Sequence, residues 1–342
     1  LERNPDVKHW TLLFGCALLG LAACRSTSPT PPLATPPAAS GVYVVNEGGF
    51  AGGGGMTFYD LVADTAYQDA VAGATGWVFP NDIAIVGARG YVAVNGADKL
   101  DVLDALTRHV VRSIAFPAGS GPGFLAVAGD TLYVANYDGT VSFVDLRTDS
   151  LVGTVGPVVG FPGGIATAGG KVFISDIGRY PVAGRLVKVL RPGSPVVIDS
   201  IGVGSAPGPL VALGGGLFVA CTGSSTVYHV NQGTLALVDS LQLSAYIADC
   251  ATDGEYLYVL GSDSVAKVED TPLSLISSAL IRRAEGSYFY ALSVMRPEGV
   301  LYVSNIMSPG GAGRIESYHA DGSQARPPFP AGVFPGAFGF RH

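Results

Sequence analysis

Charge is scarce in this chain. Lys, Arg, Asp and Glu make up only 14% of its 342 residues, and the formal net charge is −7. No basic run occurs beyond residue 24. Phosphate neutralisation needs clustered Lys and Arg, so nucleic acid is excluded as a partner. Histidines are few as well: His109, His229, His319 and His342 are widely spaced and form no His-x-His or His-x₃-His pair. No zinc-type site is expected from them. The Asp-Gly pairs at 138, 253 and 321 lack the closely spaced oxygen ligands of a calcium loop and read as hairpin turns. There is no G-x-S-x-G elbow to present a nucleophilic serine. The Gly52–Gly55 run lacks the Lys-Ser/Thr ending of a phosphate-binding loop. The residues therefore predict neither a metal nor a cofactor, and they read as a binding module before an enzyme.

Long apolar runs are also missing. The longest, Trp10 to Ala23, falls short of the ~20 residues that span a bilayer. It follows Arg3, Lys8 and His9, so residues 1–23 are predicted to be a cleaved export signal. The stretch ends in Leu21-Ala22-Ala23-Cys24, which resembles a bacterial lipobox. That resemblance implies a lipidated Cys24 as the mature N-terminus and anchorage in the membrane. Arg25 stands where inner-membrane retention uses Asp, which implies the outer membrane, on its periplasmic or its cell-surface side. Residues 24–40, rich in Pro, Ser and Thr, cannot bury enough surface to offset their ordering entropy and are predicted to be a tether.

What the chain has in abundance is glycine, 48 residues, with 23 prolines. That mixture suits many short strands joined by tight turns. An aromatic-Val signature recurs at Tyr43, Tyr91, Tyr133, Val172-Phe173, Phe218, Tyr258 and Tyr302, with spacings of 48, 42, 39, 46, 40 and 44. Periods near 40–45 residues mark propeller blades of four strands. Each signature follows a Gly/Pro-led apolar segment and precedes an alternating one such as Val141–Asp145. Asp104, Asp145 and Asn231 each stand three residues before a Thr, where a short side chain caps a turn through backbone N–H groups. These residues are structural, not catalytic.

The ends of residues 41–342 complete each other. Gly41–Asn46 is a second-strand motif with no first strand before it, and Gly332–Phe340 is a first-strand motif with no second strand after it. The prediction is an all-β, seven-bladed β-propeller of four-stranded antiparallel blades, its ring closed by pairing the N- and C-terminal strands. Leu132-Tyr133-Val134-Ala135-Asn136 and Val141–Asp145 resemble the YVTN family of propellers. Asn46-Glu47-Gly48 and Phe58-Tyr59-Asp60 resemble exported propeller lipoproteins of Bacteroidetes-type bacteria. That narrower resemblance implies a small molecule, in some members cobalamin, as bound ligand; the loop Gly52–Gly55 departs from its Gly/Asn mix.

Candidate ligand-binding residues lie on loops expected to share one face. Second-to-third-strand loops at 46–56, 175–185 and 305–313 offer Asn46, Glu47, Phe50, Arg179, Tyr180 and Asn305. Connections between blades offer Trp77, Arg283 and Tyr288, while Phe79 and Phe161 plug gaps between blades. Aromatic rings with a few polar groups on a rigid scaffold suit a small molecule or a partner protein. Some propellers of this superfamily are lactonases or lyases, and for such chemistry Asp82 and Asp249, on the innermost strands, are the catalytic candidates, with Glu47 and Arg283 beside them. A docking scaffold for envelope proteins is the third reading. Cys221 and Cys250 leave a disulfide and two buried thiols equally open.

Overall fold

The strands carrying the aromatic-Val signature are buried on both faces, because each is sandwiched between two neighbouring sheets. The computed structural model describes residues 40–49, 53–193, 196–308 and 310–342. The export signal, Cys24 and the tether up to residue 39 lie outside the described residues, as does Phe50. Among the described residues, strands assemble into seven four-stranded sheets arranged as the blades of a ring. Six blades are continuous in sequence, at residues 80–115, 122–155, 162–202, 207–242, 247–282 and 288–333, and are numbered two to seven. Blade one joins Gly41–Asn46, Gly55–Asp60 and Thr65–Tyr67 to the C-terminal Pro335–Arg341.

Ring closure follows the predicted pairing of the terminal strands. Val42 pairs with Phe340, Tyr43 with Gly339, Val44 with Phe338 and Val45 with Ala337, antiparallel. The closing strand covers the edge that Gly41–Asn46 would otherwise expose and itself becomes the innermost strand of the blade. Burial tracks position in the blade. Second strands such as Gly41–Asn46 and Gly216–Cys221 are buried throughout, whereas the outermost Leu237–Gln242 is mostly exposed.

Period-two alternation divides each second strand between two interfaces. Val42, Val44 and Tyr59 pack against Tyr302, Ile315 and Phe329 of blade seven. Tyr43, Val45 and Phe58 pack against Ile83, Val92 and Val94 of blade two. The core is therefore a ring of slabs between blades, not one central mass. The signature aromatics fill these slabs, and Tyr43, Tyr91, Tyr133, Phe173, Phe218, Tyr258 and Tyr302 are all 0–1% exposed. Three of the tyrosines also staple the ring. Tyr43 Oη donates to the Ala105 carbonyl of blade two, Tyr91 Oη donates to Asp149 of blade three at 2.6 Å, and Tyr133 Oη accepts Gly193 N–H of blade four at 2.9 Å. A ring burial of ~1.5–3 kcal/mol outweighs a net ~0.5–1.5 kcal/mol for such a hydrogen bond. Phe at 173 and 218 is tolerated for that reason.

The turn residues act as expected. Asp104 Oδ1 accepts the N–H groups of Leu106 and Thr107, Asp145 those of Arg147 and Thr148, and Asn231 those of Gly233 and Thr234. One expectation is corrected. Residues 175–185 are not a loop: Lys171–Arg179 and Val182–Leu190 continue as a hairpin that pairs Gly178 with Ala183 and Arg179 with Val182. Gly178, at φ +85°, allows this, since a Cβ there would stand 2.1 Å from Gly184 N. Cys221 and Cys250 are free and buried, so of the two open alternatives the structure holds thiols. Burial pushes the Cys221 thiol up to about 11.

Candidate functional site

All seven inner strands share one irregularity. Each slips register near its start, at Asn81, Gly123, Gly163, Gly208-Pro209, Ala248, Tyr290-Ala291 and Gly336. A β-bulge places two residues opposite one and re-aims the strand locally. Residues from six of the bulges, and Phe124 next to the seventh, line a central cavity of about 650 Å³. The space exists because most bulges bring little side chain to it. Gly163, Gly208 and Gly336 add none and Ala248 a single methyl, while Asn81 and Tyr290 are the large residues at corresponding places. Gly336 has a specific task, since a Cβ on it would lie 2.2 Å from Glu47 Oε1.

Three carboxylates face the cavity: Glu47, Asp82 and Asp249. Glu47 follows the second strand of blade one and is held by its backbone N–H on the Phe334 carbonyl, 2.9 Å. Its Oε2 accepts the Tyr290 hydroxyl at 2.8 Å, and burial pushes its carboxyl above the usual range. Asp82 accepts Ile83 N–H at 2.7 Å and, across the blade boundary, Leu125 N–H at 2.8 Å. Asp249 repeats the arrangement with Cys250 N–H at 2.8 Å and Leu292 N–H of blade seven at 2.9 Å. Each aspartate therefore ties one inner strand to the next.

Both aspartates are half-buried yet enclosed by protein, and desolvation dominates their titration. Burial raises Asp82 from 3.8 to about 7 against the opposing backbone hydrogen bonds, with the charge of Asp249 adding to the rise. Burial likewise raises Asp249 to about 6. Aromatic rings complete the wall. Tyr137 receives a hydrogen bond from Asn81 Nδ2 at 3.1 Å, and its ring lies 5.8 Å from Phe124 and 4.9 Å from Phe161. Tyr290 packs on Phe334 at 5.6 Å. Burial, reinforced by the charge of Glu47, pushes both tyrosine hydroxyls far up, so they remain protonated donors. Tyr246, largely exposed, stands at the rim. Among the described lining residues there is no Lys, Arg or His.

The sequence candidates divide accordingly. Glu47, Asp82 and Asp249 come together at the cavity; the others with described positions do not line it. Asn46 is buried in a strand contact, where it donates to Thr57 Oγ1 and accepts Gly332 N–H. Asn305 is fully buried and donates to Glu316. Trp77, 6% exposed, sits in the slab between blades one and two, its indole N–H on buried Asp101 at 2.7 Å. Arg179 reaches back to the Gly160 carbonyl at 2.6 Å, and Tyr180 is exposed at the tip of the blade-four hairpin. Arg283 is held by the Ser287 carbonyl at 2.7 Å beneath the ring of Tyr288, with 5.6 Å from Cζ to the ring centre. Sequence reasoning missed Asn81, Phe124, Tyr137 and Tyr290. The available signal was that Asn81 and Tyr290 replace Gly or Ala at matched places in the repeat.

Three acids, several polar or aromatic groups and no Lys, Arg or His among the described lining residues define what this cavity can do. It can hold a neutral or positively charged small molecule, and its aspartates can exchange protons near neutral pH. Among the described residues no three His, Cys, Asp or Glu side chains are grouped to hold a metal ion.

The family described as Domain of unknown function (DUF5074) matches residues 40–306. No curated protein matches the sequence. Solved propellers resemble the fold at low identity. A putative 6-phosphogluconolactonase from Bacteroides uniformis superimposes with a TM-score of 0.66 at 16% identity, over 89% of this chain and 100% of that one. Kuenenia stuttgartiensis hydrazine synthase gives 0.64 at 17% identity, over 79% and 92%. A chain of the mitotic checkpoint complex gives 0.62 at 12% identity, over 73% and 82%. These likenesses establish a shared architecture, which hosts unrelated functions.

Proposed function

We propose that this chain, which belongs to the DUF5074 family, is a lipid-anchored binding module of the cell envelope that holds a small molecule in the central cavity. One observation carries the reading: six inner-strand bulges, mostly Gly or Ala, border a space of about 650 Å³ at the ring axis, and Glu47, Asp82, Asp249, Asn81, Tyr137 and Tyr290 converge on it. Buried polar groups converging on an otherwise apolar concavity are what a specific ligand site requires. The motif ending in Cys24 supports export and attachment through that residue, with the Pro-rich segment after it as spacer. A corrinoid, which the family resemblance implies, is too bulky to enter the cavity and would lie across its rim. An envelope protein docking on the same face would meet the exposed Tyr180, Tyr246 and Tyr288.

A second reading is favoured by the titration of the two aspartates near neutrality. An ionised Asp82 or Asp249 would take a proton from water as hydroxide adds to a lactone carbonyl, then return it to the departing ring oxygen. The substrate would be an uncharged lactone, because the lining residues include no cation to meet a phosphate.

Both readings are tested on one purified chain, residues 40–342, by thermal shift with neutral sugars, lactones, amines, sugar phosphates and cyanocobalamin. A ligand at 100 times its Kd stabilises the fold by ~2.7 kcal/mol. The expected result is a shift by a neutral or cationic compound that disappears in Gly208→Trp, which fills the cavity. A flat response to every compound removes the binding reading. Lactone turnover unchanged in Asp82→Asn and Asp249→Asn removes the catalytic one.

A further inference from the structure

The charge balance of the cavity narrows the ligand class, on the premise that the central cavity is the binding site. Elsewhere in the described structure some buried or half-buried carboxylates have cationic neighbours: Lys99 lies 2.8 Å from Asp101, Arg314 2.5 Å from Glu316 and Arg89 3.8 Å from Asp149. Others, such as Asp60 and Asp176, stand singly and accept backbone N–H groups. Glu47, Asp82 and Asp249 have no such neighbour among the described ion pairs, although they share one enclosed space. Withdrawing carboxylates from water without a counter-charge is costly. The balance is restored when a cation occupies the space they face.

The kind of cation follows from what surrounds the carboxylates. A bare Ca²⁺ or Mg²⁺ ion wants six or more closely packed oxygens. Here both oxygens of Asp82 and of Asp249 already accept backbone N–H groups, which fixes them in the wall. The cavity is also far larger than one ion, and among its small and aliphatic residues the wall carries the aromatic rings of Phe124, Tyr137, Phe289 and Tyr290. Aromatic faces attract alkylated ammonium groups, and do so most when desolvated. We propose that the central cavity selects an organic cation, an alkylammonium compound whose charge faces Glu47, Asp82 and Asp249 and whose apolar groups pack on the Tyr137 and Tyr290 rings.

Binding is then coupled to protons. The titratable groups facing the site are Glu47, Asp82, Asp249, Tyr137, Tyr290, Tyr246 at the rim and the Cys250 thiol beside Asp249, and none is basic. Tyr137, Tyr290 and the thiol titrate above the neutral range. A cation favours the ionised carboxylates, so affinity rises with pH from 5.5 to 8 and protons are released on binding near pH 6–7.

The test is isothermal titration of the chain, residues 40–342, with choline, tetraethylammonium and benzyltrimethylammonium, against 3,3-dimethylbutan-1-ol as the uncharged isostere of choline, and against Ca²⁺. At pH 8 at least one ammonium is expected to bind ten times tighter than the alcohol, to weaken at least fivefold at pH 5.5, and to weaken about tenfold in Glu47→Gln. That variant keeps an acceptor for the Tyr290 hydroxyl, so loss of fold does not mimic the effect, and its melting temperature serves as control. Equal affinity for choline and the alcohol overturns the cation assignment while leaving the cavity as a site. The same holds if none of the three cations binds and a neutral compound does. Ca²⁺ binding that excludes the ammonium ions overturns it in favour of a metal. If nothing binds, or if the ammonium titrations are unchanged in Gly208→Trp, the cavity reading itself falls.

Discussion

Raising the pH from 5 to 8 should loosen the fold, and the two aspartates of the cavity set by how much. A carboxyl whose pKa is higher in the folded chain than in the unfolded one binds protons more tightly when folded. Its stabilising effect is complete below the unfolded value and is lost as pH rises through the folded value. Asp82 rises from 3.8 to about 7 and Asp249 from 3.8 to about 6. Each proton held only by the folded state tilts stability by ~1.4 kcal/mol per pH unit. Between pH 5 and 8, Asp82 keeps its excess proton for about two units and Asp249 for about one, which gives ~4 kcal/mol in all as an upper figure. Solvent reaching these half-buried groups reduces this, so a loss of about 2–4 kcal/mol is expected. Glu47 acts in the same direction, and Asp104, whose carboxyl is held below its usual range by Thr107 N–H, contributes its change below pH 5.

The assay is the urea midpoint at pH 5, 6, 7 and 8 for the wild type, Asp82→Asn and Asp249→Asn. Each amide sets an N–H₂ against a backbone donor, Leu125 N–H or Leu292 N–H, and lowers stability by ~1–3 kcal/mol at every pH. The slope is therefore the readout, and the level is not. Asp82→Asn should remove about two thirds of the decline and Asp249→Asn about one third. A wild-type midpoint that is flat or rises toward pH 8, or an Asp82→Asn variant with the full decline, refutes the reasoning.

Removal of residues 335–342 deletes the strand that pairs with Gly41–Asn46 and bares Val42 and Val44 where they pack with Phe338. Such a chain should lose its cooperative melt and aggregate; an unchanged melting temperature by circular dichroism contradicts the closure argument. In cells, the full-length chain should incorporate labelled palmitate and sediment with membranes, and Cys24→Ala should do neither. Equal labelling of the two shows that Cys24 is not the anchor.

The repeat was readable because it is local chemistry written seven times. A buried aromatic, a β-branched neighbour and a turn-capping Asp or Asn suffice to mark a blade, and the recurring tyrosines hold their slabs as their spacing implies. Glu47, Asp82 and Asp249 were readable as residues of interest because carboxylates near inner strands must either be satisfied or serve a purpose. Tyr290 was overlooked in favour of Tyr288, two residues earlier. Simple alternation puts both on one face, but the register slip at Tyr290-Ala291 breaks that parity. Tyr137 was overlooked because it directly follows a strand, Thr131–Asn136, in a turn whose direction sequence alone does not specify. Trp77 and Asn305 read in the sequence as loop residues of the binding face, whereas tertiary packing gives each a buried carboxylate to donate to.

Strand content, blade number and the joining of head to tail follow from residues near one another in sequence and from one missing strand at each end. The cavity does not. Its Glu47–Tyr290 contact joins residues 243 apart, and its volume depends on inner strands of all seven blades meeting at one axis. Hydrogen-bond pattern and side-chain alternation are properties of a strand, whereas the depth, charge and emptiness of a space belong only to the assembled ring.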